Sequence, residues 1–445
     1  MALCLSLGGL LEAQNYERLT NIIDELVERY VQGDERLIKM IKEILPILFQ
    51  PSDPFIRLEF LTGMLDTVAR KEELASKTDV SEIASSLLAS MGPVGVKIAQ
   101  ILGENPLVRE NFPELFRALE QHKRNAKIDL VTVFKCLSRI KLPEGARIKI
   151  IGNASIKAVI LVEELSDNGS GNKYVVKVAR PGFQPNRWLR YLDELTQTLN
   201  KRLSSKTDYR IPYSLGKTLV QFILEELDLN REAEGFQKLR QGFASDVIIP
   251  RVIKAEHDFM EEEYCPSVER VELSRPQKFR LLLHLVQGLA GKPVHFDLHR
   301  GNVGQTKFCE LIIYDSGTVI SLSVNSRREL WELLLAVLSK RYFVRFLDRR
   351  KQYLGQDRYK TYSHRNLQSH YPSERLRLAL DVIFESQLKG YELSNETLRA
   401  LFGLSKSGWL FEGINARDMF NEIISTIRIQ AIQKFWEKIG SRNTQ

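Results

Sequence analysis

The chain has 445 residues, 43% of them hydrophobic and 27% charged, which is typical of a globular protein with a large core or more than one domain. Its four cysteines are scattered and form no C-x-x-C pair, which argues against a disulfide framework and a cysteine-based zinc site. The formal net charge of +8 favours anionic partners in general and selects no particular one.

The amino-terminal end has a short apolar run, Met1 to Leu11, with no Lys or Arg ahead of it. This pattern predicts an ordinary helix start and not a secretory signal. The best apolar stretch elsewhere, Leu330 to Leu338, is interrupted by Glu332 and is shorter than the roughly 18 residues that cross a bilayer. We therefore expect a cytoplasmic protein without a transmembrane segment, peripheral to a membrane at most.

The first part of the chain, from Asn15 to about Lys127, has apolar residues at helical spacing. It predicts an all-helical N-terminal region within residues 1–129. Lys97 and Gln100 lie in this region, just after a Gly-Pro break. Taken alone, a Lys and a Gln at this spacing are typical of a solvated helix face.

Beyond about residue 130 the period changes to that of strands, which we predict at residues 147–151, 158–163 and 174–178. Lys177 lies in the third strand, inside an apolar V-V-K-V run, where an unpaired ammonium group would be costly to bury. The sequence therefore predicts an anionic partner for Lys177. A charged residue on an edge strand is the ordinary alternative.

The stretch that begins at His295 reads H-F-D-L-H-R-G-N, and an apolar strand and the sequence D-S-G follow it. Asp297, Asn302 and Asp315 are therefore oxygen-bearing side chains on a loop and a hairpin, an arrangement that holds Mg²⁺ against the phosphates of a nucleotide. Phosphoryl transfer requires mainly positioning and charge neutralisation. Asp297 is predicted to orient an attacking hydroxyl group or water, and Asn302 and Asp315 are predicted metal ligands.

The two histidines of this stretch, His295 and His299, also form an H-x-D-x-H pattern that suggests zinc. No Cys or His lies close enough in the sequence to complete a tetrahedral ligand set. Metal binding through these histidines is therefore not predicted.

After Asp315 the sequence is strongly helical at residues 327–347, 374–388 and 416–438, as a large helical lobe requires. A basic cluster with interleaved aromatic residues begins within the first of these segments, and a solvated helix face is its favoured interpretation. A surface for anionic lipid is the alternative. The cluster consists of Lys340, Arg341, Tyr342, Phe343, Arg345, Phe346, Arg349, Arg350 and Lys351.

The pattern H-x-D-x-H-x-G-N followed by D-x-G resembles the UbiB/ADCK (aarF-domain-containing) family of atypical protein-kinase-like proteins. The metal motif of that family reads Asp-Phe-Gly, and this chain has Ser316 at the position of the Phe. The resemblance implies an α+β, two-lobed protein-kinase-like fold with an N-terminal all-helical extension. The extension would be residues 1–129, the small lobe with a helical insertion 130–265, and the helical large lobe 266–445.

Acidic residues further along the chain match a second family motif. Glu226 and Asp228 match its E-x-D motif, and Glu232 matches the helix glutamate that follows. The resemblance implies that Glu232 pairs with Lys177. It also implies that Glu226 or Asp228 contacts Lys97 and that Asp228 contributes to the metal site, although an acidic helix surface is the alternative for Asp228.

The remaining expected contacts to the nucleotide also come from the resemblance. Lys97 and Gln100 match the K-x-G-Q motif of a helix that packs over the active site in the family, with Ala99 in place of the Gly. Ala154 and Ser155 resemble its alanine-rich phosphate loop. The stretch with Glu262 and Tyr264 corresponds to the strand and hinge whose backbone would meet the adenine.

The resemblance implies a protein that binds ATP with Mg²⁺ and has ATPase or phosphotransferase activity. It also implies a link to isoprenoid-quinone or lipid metabolism, with a lipid or quinone-precursor ligand and peripheral membrane contact, and no nucleic-acid partner is expected. Two alternatives stay open. One is a small-molecule phosphotransferase, similar to the aminoglycoside kinases, or a protein phosphotransferase; the other is a nucleotide-binding scaffold with little or no turnover.

Overall fold

The structure is a computed structural model, and it describes residues 16–33, 35–51, 53–60, 62–63, 78–103, 113, 116–120, 130–138, 140, 142–153, 156–164, 171–203, 211–243, 247–268, 271–317, 319–412, 414–415, 418 and 421. The chain divides into two compact units. The first comprises Met1–Ala233 and Arg251–Tyr264, and the second Glu234–Pro250 and Cys265–Gln445. The expected boundary between residues 129 and 130 falls inside the first unit and stays a prediction.

The described residues form helices and short strands in both units. The helices are α1 Tyr16–Tyr30, α2 Glu35–Leu48, α3 Val80–Ser90, α4 Pro93–Gly103, α5 Leu130–Leu137, α6 Pro185–Leu203, α7 Tyr213–Leu227, α8 Leu229–Gly242, α9 Arg275–Leu289, α10 Val324–Leu338, α11 Lys340–Asp348, α12 Lys351–Leu354, α13 Gln356–Gln368, α14 Pro372–Leu388 and α15 Asn395–Lys406, with a 3₁₀ turn at Gly408–Phe411. The strands are β1 Val31–Gln32, β2 Thr78–Asp79, β3 Arg147–Asn153, β4 Lys157–Glu163, β5 Lys173–Ala179, β6 Val247–Ile248, β7 Val252–Ala255, β8 Phe259–Glu263, β9 Val294–His295, β10 Val303–Gln305, β11 Leu311–Ile313 and β12 Val319–Ile320.

The first unit contains a five-stranded antiparallel sheet in the order β3-β4-β5-β8-β7. β-Branched residues dominate β4 and β5, which suits them to a pleated, buried surface. Ile160 and Val176 belong to a buried apolar cluster that Val133 and Leu137 of helix α5 complete. Helix α5 therefore covers one face of the sheet, and the three strands predicted from the sequence are confirmed as β3, β4 and β5.

Helices α3 and α4 of the first unit pack at very close range. A Cβ atom at Gly95 would clash with the backbone of Leu88, so only glycine fits at this position. This contact fixes α4, and Lys97 lies two residues further along the same helix.

The second unit places short strands among helices. Strands β10 and β11 form an antiparallel hairpin with β6 parallel to β11, and β9 pairs with β12. The central strand β11 is apolar and fully buried. Helices α9, α10, α14 and α15 contribute buried apolar residues to the core of this unit.

The C-terminal helices differ in one respect from the sequence prediction. A continuous helix over residues 327–347 was expected, and the structure has two helices, α10 and α11, separated by Ser339 in an extended conformation. Serine is a weak helix former, and the break allows Phe343 and Phe346 to pack inwards. The helix predicted at 374–388 is confirmed as α14, whereas the helix predicted at 416–438 lies, apart from isolated positions, outside the described residues.

Among the described helices, none is both long enough and apolar enough to cross a lipid bilayer.

Candidate active site

Strand alternation places three charged side chains on the sheet face opposite helix α5. Val176 faces α5, so its neighbour Lys177 points to the other side. The register pairs Lys177 with Val159 of β4 and with Met260 of β8, so Lys157 and Glu262, each two residues away from those partners, share its face. Backbone geometry alone therefore brings two lysines and one glutamate together.

Glu232 of helix α8 completes this group from the first turn of its helix. Its Oε1 accepts a hydrogen bond of 2.7 Å from Lys177 Nζ, and its Oε2 contacts Lys157 Nζ. Glu262 Oε2 lies 3.1 Å from Lys177 Nζ as well. Lys177 is 5% exposed and Glu232 is fully buried. Each of these buried charges lies beside groups of opposite charge, which offsets the cost of removing it from water.

Asp228 lies at the break between helices α7 and α8. Its Oδ1 accepts hydrogen bonds from the backbone N–H groups of Asn230, at 3.2 Å, and Arg231, at 3.4 Å. These bonds satisfy donors at the start of α8, which is the ordinary use of an aspartate at a helix N-terminus. The structure therefore shows a capping contact for Asp228, and its expected role as a metal ligand stays a prediction.

The structure brings Lys97 and Glu226 together across 129 positions of sequence. Lys97 Nζ on α4 donates a hydrogen bond to Glu226 Oε1 on α7, and only 7% of Lys97 is exposed. Lys97 is therefore a buried member of an ion pair and not the solvated lysine that its spacing alone would suggest. Ala154, Ser155 and the side chain of Gln100 lie outside the described residues, so their expected contacts stay predictions.

We expect Lys97→Ala to lower the free energy of unfolding by about 1–3 kcal/mol, because Glu226 would lose its charged partner in a largely buried position. The exposed Lys217→Ala, on the helix that carries Glu226, should change it by less than about 0.5 kcal/mol. Urea denaturation of both variants measures the difference. Equal effects of the two substitutions would contradict a structural role for the pair.

In the second unit the β10–β11 hairpin positions two of the predicted metal ligands. Asn302 immediately precedes β10, and its carbonyl oxygen accepts a 3.0 Å hydrogen bond from the N–H of Tyr314, the neighbour of Asp315. The Asn302 side chain also donates from Nδ2 to the Asp297 carbonyl at 2.9 Å. Asp315 Oδ1 accepts a 2.8 Å bond from the Gly317 N–H, which holds its carboxylate at the turn.

The donor atoms of Asn302 and Asp315 fit magnesium. Because the amide nitrogen of Asn302 binds the Asp297 carbonyl, the amide oxygen is the atom available to a cation. A carboxylate and an amide oxygen are hard ligands, and Mg²⁺ is commonly bound by one or two carboxylates together with waters and substrate phosphates. Within the described residues no group of three or more His, Cys, Asp or Glu is arranged to hold a metal ion.

Asp297 contacts a residue that the sequence analysis did not identify. Its Oδ2 accepts a 2.8 Å hydrogen bond from Lys406 Nζ at the end of helix α15. Asp297 is 6% exposed, so this ion pair is largely screened from water. No motif marked Lys406, because it lies 109 positions from Asp297 in a segment without recognisable spacing.

Ser316 is buried against the backbone of helix α8. A Cβ atom at Gly235 would clash with the carbonyl oxygen of Ser316 and lie 3.0 Å from its Oγ. The close contact explains the small side chain where the resembled motif has Phe, since an aromatic ring would not fit between the two backbones.

His284 supports the start of the loop that begins at His295 and contains Asp297. Its Nε2 accepts a 3.0 Å hydrogen bond from the backbone N–H of His295, and its ring stacks on Phe243 with centroids 4.0 Å apart. Burial, followed by the nearby His295 and Lys292, lowers the pKa of His284 to about 3. The ring is therefore neutral at physiological pH, as an acceptor must be.

This pKa shift predicts a loss of stability in acid. In the unfolded chain His284 takes up a proton near pH 6.5, whereas in the folded protein it resists protonation until about pH 3. Its contribution to the free energy of unfolding is therefore complete above pH 6.5 and declines as the pH falls from 6.5 to 3. The maximum slope from this group is about 1.4 kcal/mol per pH unit. His284→Gln, which keeps an acceptor, should flatten the pH dependence measured by urea denaturation. The exposed His364→Gln should leave it unchanged, and equal slopes for wild type and His284→Gln would contradict the assignment.

Part of the chain is similar to proteins of known family. Residues 148–343 match the model of the ABC1 atypical kinase-like domain. A probable protein kinase UbiB from Pseudomonas paraeruginosa is 26% identical over 287 residues, which covers 57% of this chain and 52% of that protein. These similarities support the predicted resemblance to the UbiB/ADCK family of atypical kinase-like proteins. The α+β, kinase-like fold class predicted from the sequence is confirmed, and a kinase-like domain implies nucleotide binding.

The chain spans about half the length of the curated UbiB relative it matches. Two solved structures are also similar. The Rio2 kinase complex with ADP/Mg²⁺ and phosphoaspartate from Chaetomium thermophilum has a TM-score of 0.25 and 11% identity, covering 75% of this chain and 96% of that one. The complex of Rv3197 with erythromycin from Mycobacterium tuberculosis has a TM-score of 0.31 and 19% identity, covering 48% of this chain and 59% of that one.

Proposed function

We propose that this protein binds ATP with Mg²⁺ and transfers its terminal phosphoryl group to water or to a small acceptor. The observation that supports this most strongly is the hairpin geometry of the second unit. Asn302 and Asp315 flank the same end of β10–β11, and Asn302 is hydrogen-bonded to the backbone of Asp297. Within the first unit, the lysine that the sequence predicts to bind an anion, Lys177, is buried and oriented by Glu232.

Each residue has a defined part in this proposal. Lys177 neutralises charge on the phosphates, and Glu232 and Glu262 hold its side chain in one orientation. Asn302 and Asp315 bind the magnesium ion, which would supply neutralisation of the developing phosphate charge. Asp297 accepts the proton of the attacking hydroxyl group or water.

The transfer requires no reactant other than ATP and the acceptor. The oxygen of the acceptor forms a bond to the terminal phosphorus, while the bond from that phosphorus to the bridging oxygen breaks and its electron pair leaves with ADP. The proton of the acceptor passes to Asp297. The products are ADP and either a phosphorylated acceptor or inorganic phosphate.

The acceptor class follows from the Lys97–Glu226 ion pair and from the family resemblance. In the resembled family the helix of the K-x-G-Q motif occupies space that ordinary kinases leave for protein substrates. A helix held by a buried ion pair would keep that space closed, which favours water or a small molecule over a protein acceptor. The resemblance further suggests a role in isoprenoid-quinone or lipid metabolism. The phosphoryl acceptor, or a molecule that regulates the reaction, would then belong to that metabolism and lie at a membrane surface.

Asp297→Asn tests the proposal directly. This variant should bind MgATP with wild-type affinity, because Asp297 is not a proposed metal ligand, and should lose about 10²–10⁴-fold in kcat. Calorimetry measures the binding, and release of labelled phosphate from ATP, with and without quinone-like lipids, measures turnover. The exposed Asp357→Asn serves as the control and should retain both properties. A wild-type protein that binds MgATP without any turnover would be a nucleotide-binding scaffold and would contradict the proposed reaction.

A further inference from the structure

Residues 403–409, which we call the loop clamp, contact the backbone of the catalytic loop on both sides of Asp297. Ser407 Oγ donates a 3.0 Å hydrogen bond to the carbonyl of Phe296, and Trp409 Nε1 donates a 2.9 Å bond to the carbonyl of Leu298. Gly403 packs directly against Phe296, since a Cβ atom there would lie 2.7 Å from its carbonyl carbon. The clamp therefore holds the carbonyl groups of the two residues on either side of Asp297.

Lys406 lies in the middle of this clamp. It is the residue that donates to Asp297 Oδ2 at 2.8 Å, and 17% of its side chain and 9% of that of Asp297 are exposed. An ammonium group at this distance in a largely buried site makes a charge-assisted hydrogen bond that fixes one of the two carboxylate oxygens.

The helix that carries Lys406 is itself anchored at its other end. The carboxylate of Glu396, in the first turn of α15, accepts a 2.7 Å hydrogen bond from the backbone N–H of Ser323 and a 2.9 Å bond from Ser326 Oγ. Burial acts to raise the pKa of Glu396, but these hydrogen bonds outweigh it and hold the pKa below its usual value. Ser394 caps the helix by accepting from the Thr397 N–H at 3.1 Å.

Beyond the clamp the chain is also held to the catalytic loop. The guanidinium of Arg300 lies 5.4 Å from the ring centroid of Trp409 and 3.3 Å from a carboxylate oxygen of Glu412. Contacts on both sides of Lys406 indicate a built-in support and not a segment that swings away during turnover. The matched family domain ends at residue 343, so this support comes from outside it.

We propose that Lys406 is a positioning residue for the phosphoryl transfer. It holds Oδ2 of Asp297 in a fixed position, so that Oδ1 is the oxygen that receives the proton of the attacking hydroxyl group or water. The inference rests on the proposed function, because Asp297 needs this orientation only if it acts as the proton acceptor. A correctly placed base lowers the barrier by preorganisation, and misplacement by a fraction of an ångström reduces the rate without weakening nucleotide binding.

The test compares Lys406→Met, Lys406→Arg and Lys406→Ala in the full-length chain. We expect Lys406→Met to bind MgATP within about threefold of wild type and to lose about 10²-fold in kcat with little change in KM. Lys406→Arg keeps a positive charge and should recover part of that loss. Added ethylamine should partly restore Lys406→Ala, because the small ammonium ion replaces the missing group, and should not restore Asp297→Asn.

Lys389→Met is the matched control, since Lys389 is a similarly buried lysine that lies 3.9 Å from Glu385. It should have wild-type kcat. A wild-type kcat for Lys406→Met would overturn the inference and leave the proposed function intact, and a higher kcat would show that Lys406 restrains the loop instead of positioning it. If the wild-type protein itself has no turnover, the proposed function fails before any variant is compared.

A double-mutant cycle on stability gives a readout that needs no activity. Lys406→Met should lower the Tm of the otherwise wild-type chain by several degrees, because the Asp297 carboxylate loses its charged partner. In the Asp297→Asn background the same substitution should shift the Tm by less than about 2 °C. Equal shifts in the two backgrounds would mean that the ion pair does not form, which would also overturn the inference.

Discussion

Glu232→Gln is expected to lower the free energy of unfolding by about 3–5 kcal/mol, because the substitution breaks a buried network and leaves charge uncompensated. Glu232 is fully buried and its two oxygens each contact a lysine, Lys157 on one side and Lys177 on the other. Gln has the shape of Glu but no negative charge. The two ammonium groups would then share the single carboxylate of Glu262, which contacts Lys177 at 3.1 Å.

Chemical denaturation followed by circular dichroism measures this loss, and the same helix offers the control. Glu234 lies two residues from Glu232, but its side chain is 66% exposed and its partner Lys238 is 3.6 Å away on the surface. Glu234→Gln should cost less than about 0.5 kcal/mol. If the two substitutions cost the same, the charge network does not contribute to the stability of the fold.

The sequence alone predicted those features of the fold and the site whose physical signal lies in neighbouring residues. Short apolar runs rich in β-branched residues marked β4 and β5, because such residues suit a pleated, buried surface. Lys177 was recognisable as a residue in need of an anion, since a charge inside a V-V-K-V run is costly to bury alone. The assignment of Glu232 as that anion came from family resemblance, and the structure places the two side chains 2.7 Å apart.

The sequence did not suffice where a contact depends on register or on distant packing. Lys157 joins Glu232 only because β4 and β5 pair with Val159 opposite Lys177, and a one-residue slip would turn it to the opposite face. That register is not encoded in the two strands alone. The sequence analysis therefore did not identify Lys157 as a charge partner.

Lys406 is an example of a contact that depends on distant packing. Its role depends on helix α15, which packs beside the catalytic loop through Gly403 and Ser407. Neither a lysine near the end of a helix nor a glycine within one indicates a particular partner in sequence. The close backbone approach at Gly403 becomes visible only when both segments are in place.

Asp315→Asn is expected to abolish magnesium-dependent nucleotide binding while the fold stays intact. Asn is isosteric with Asp and can still accept the 2.8 Å bond from the Gly317 N–H through its amide oxygen, so the turn after β11 should be preserved. The substitution removes the negative charge of a proposed metal ligand, and the affinity for MgATP should fall about 100-fold or more. Thermal-shift titration with ATP in the presence and absence of Mg²⁺ measures this loss.

Asp357→Asn, an exposed change in the first turn of α13, should keep the full magnesium-dependent shift. A normal melting curve for Asp315→Asn without nucleotide establishes that the fold is intact, and an undiminished shift with MgATP would remove Asp315 from the metal site.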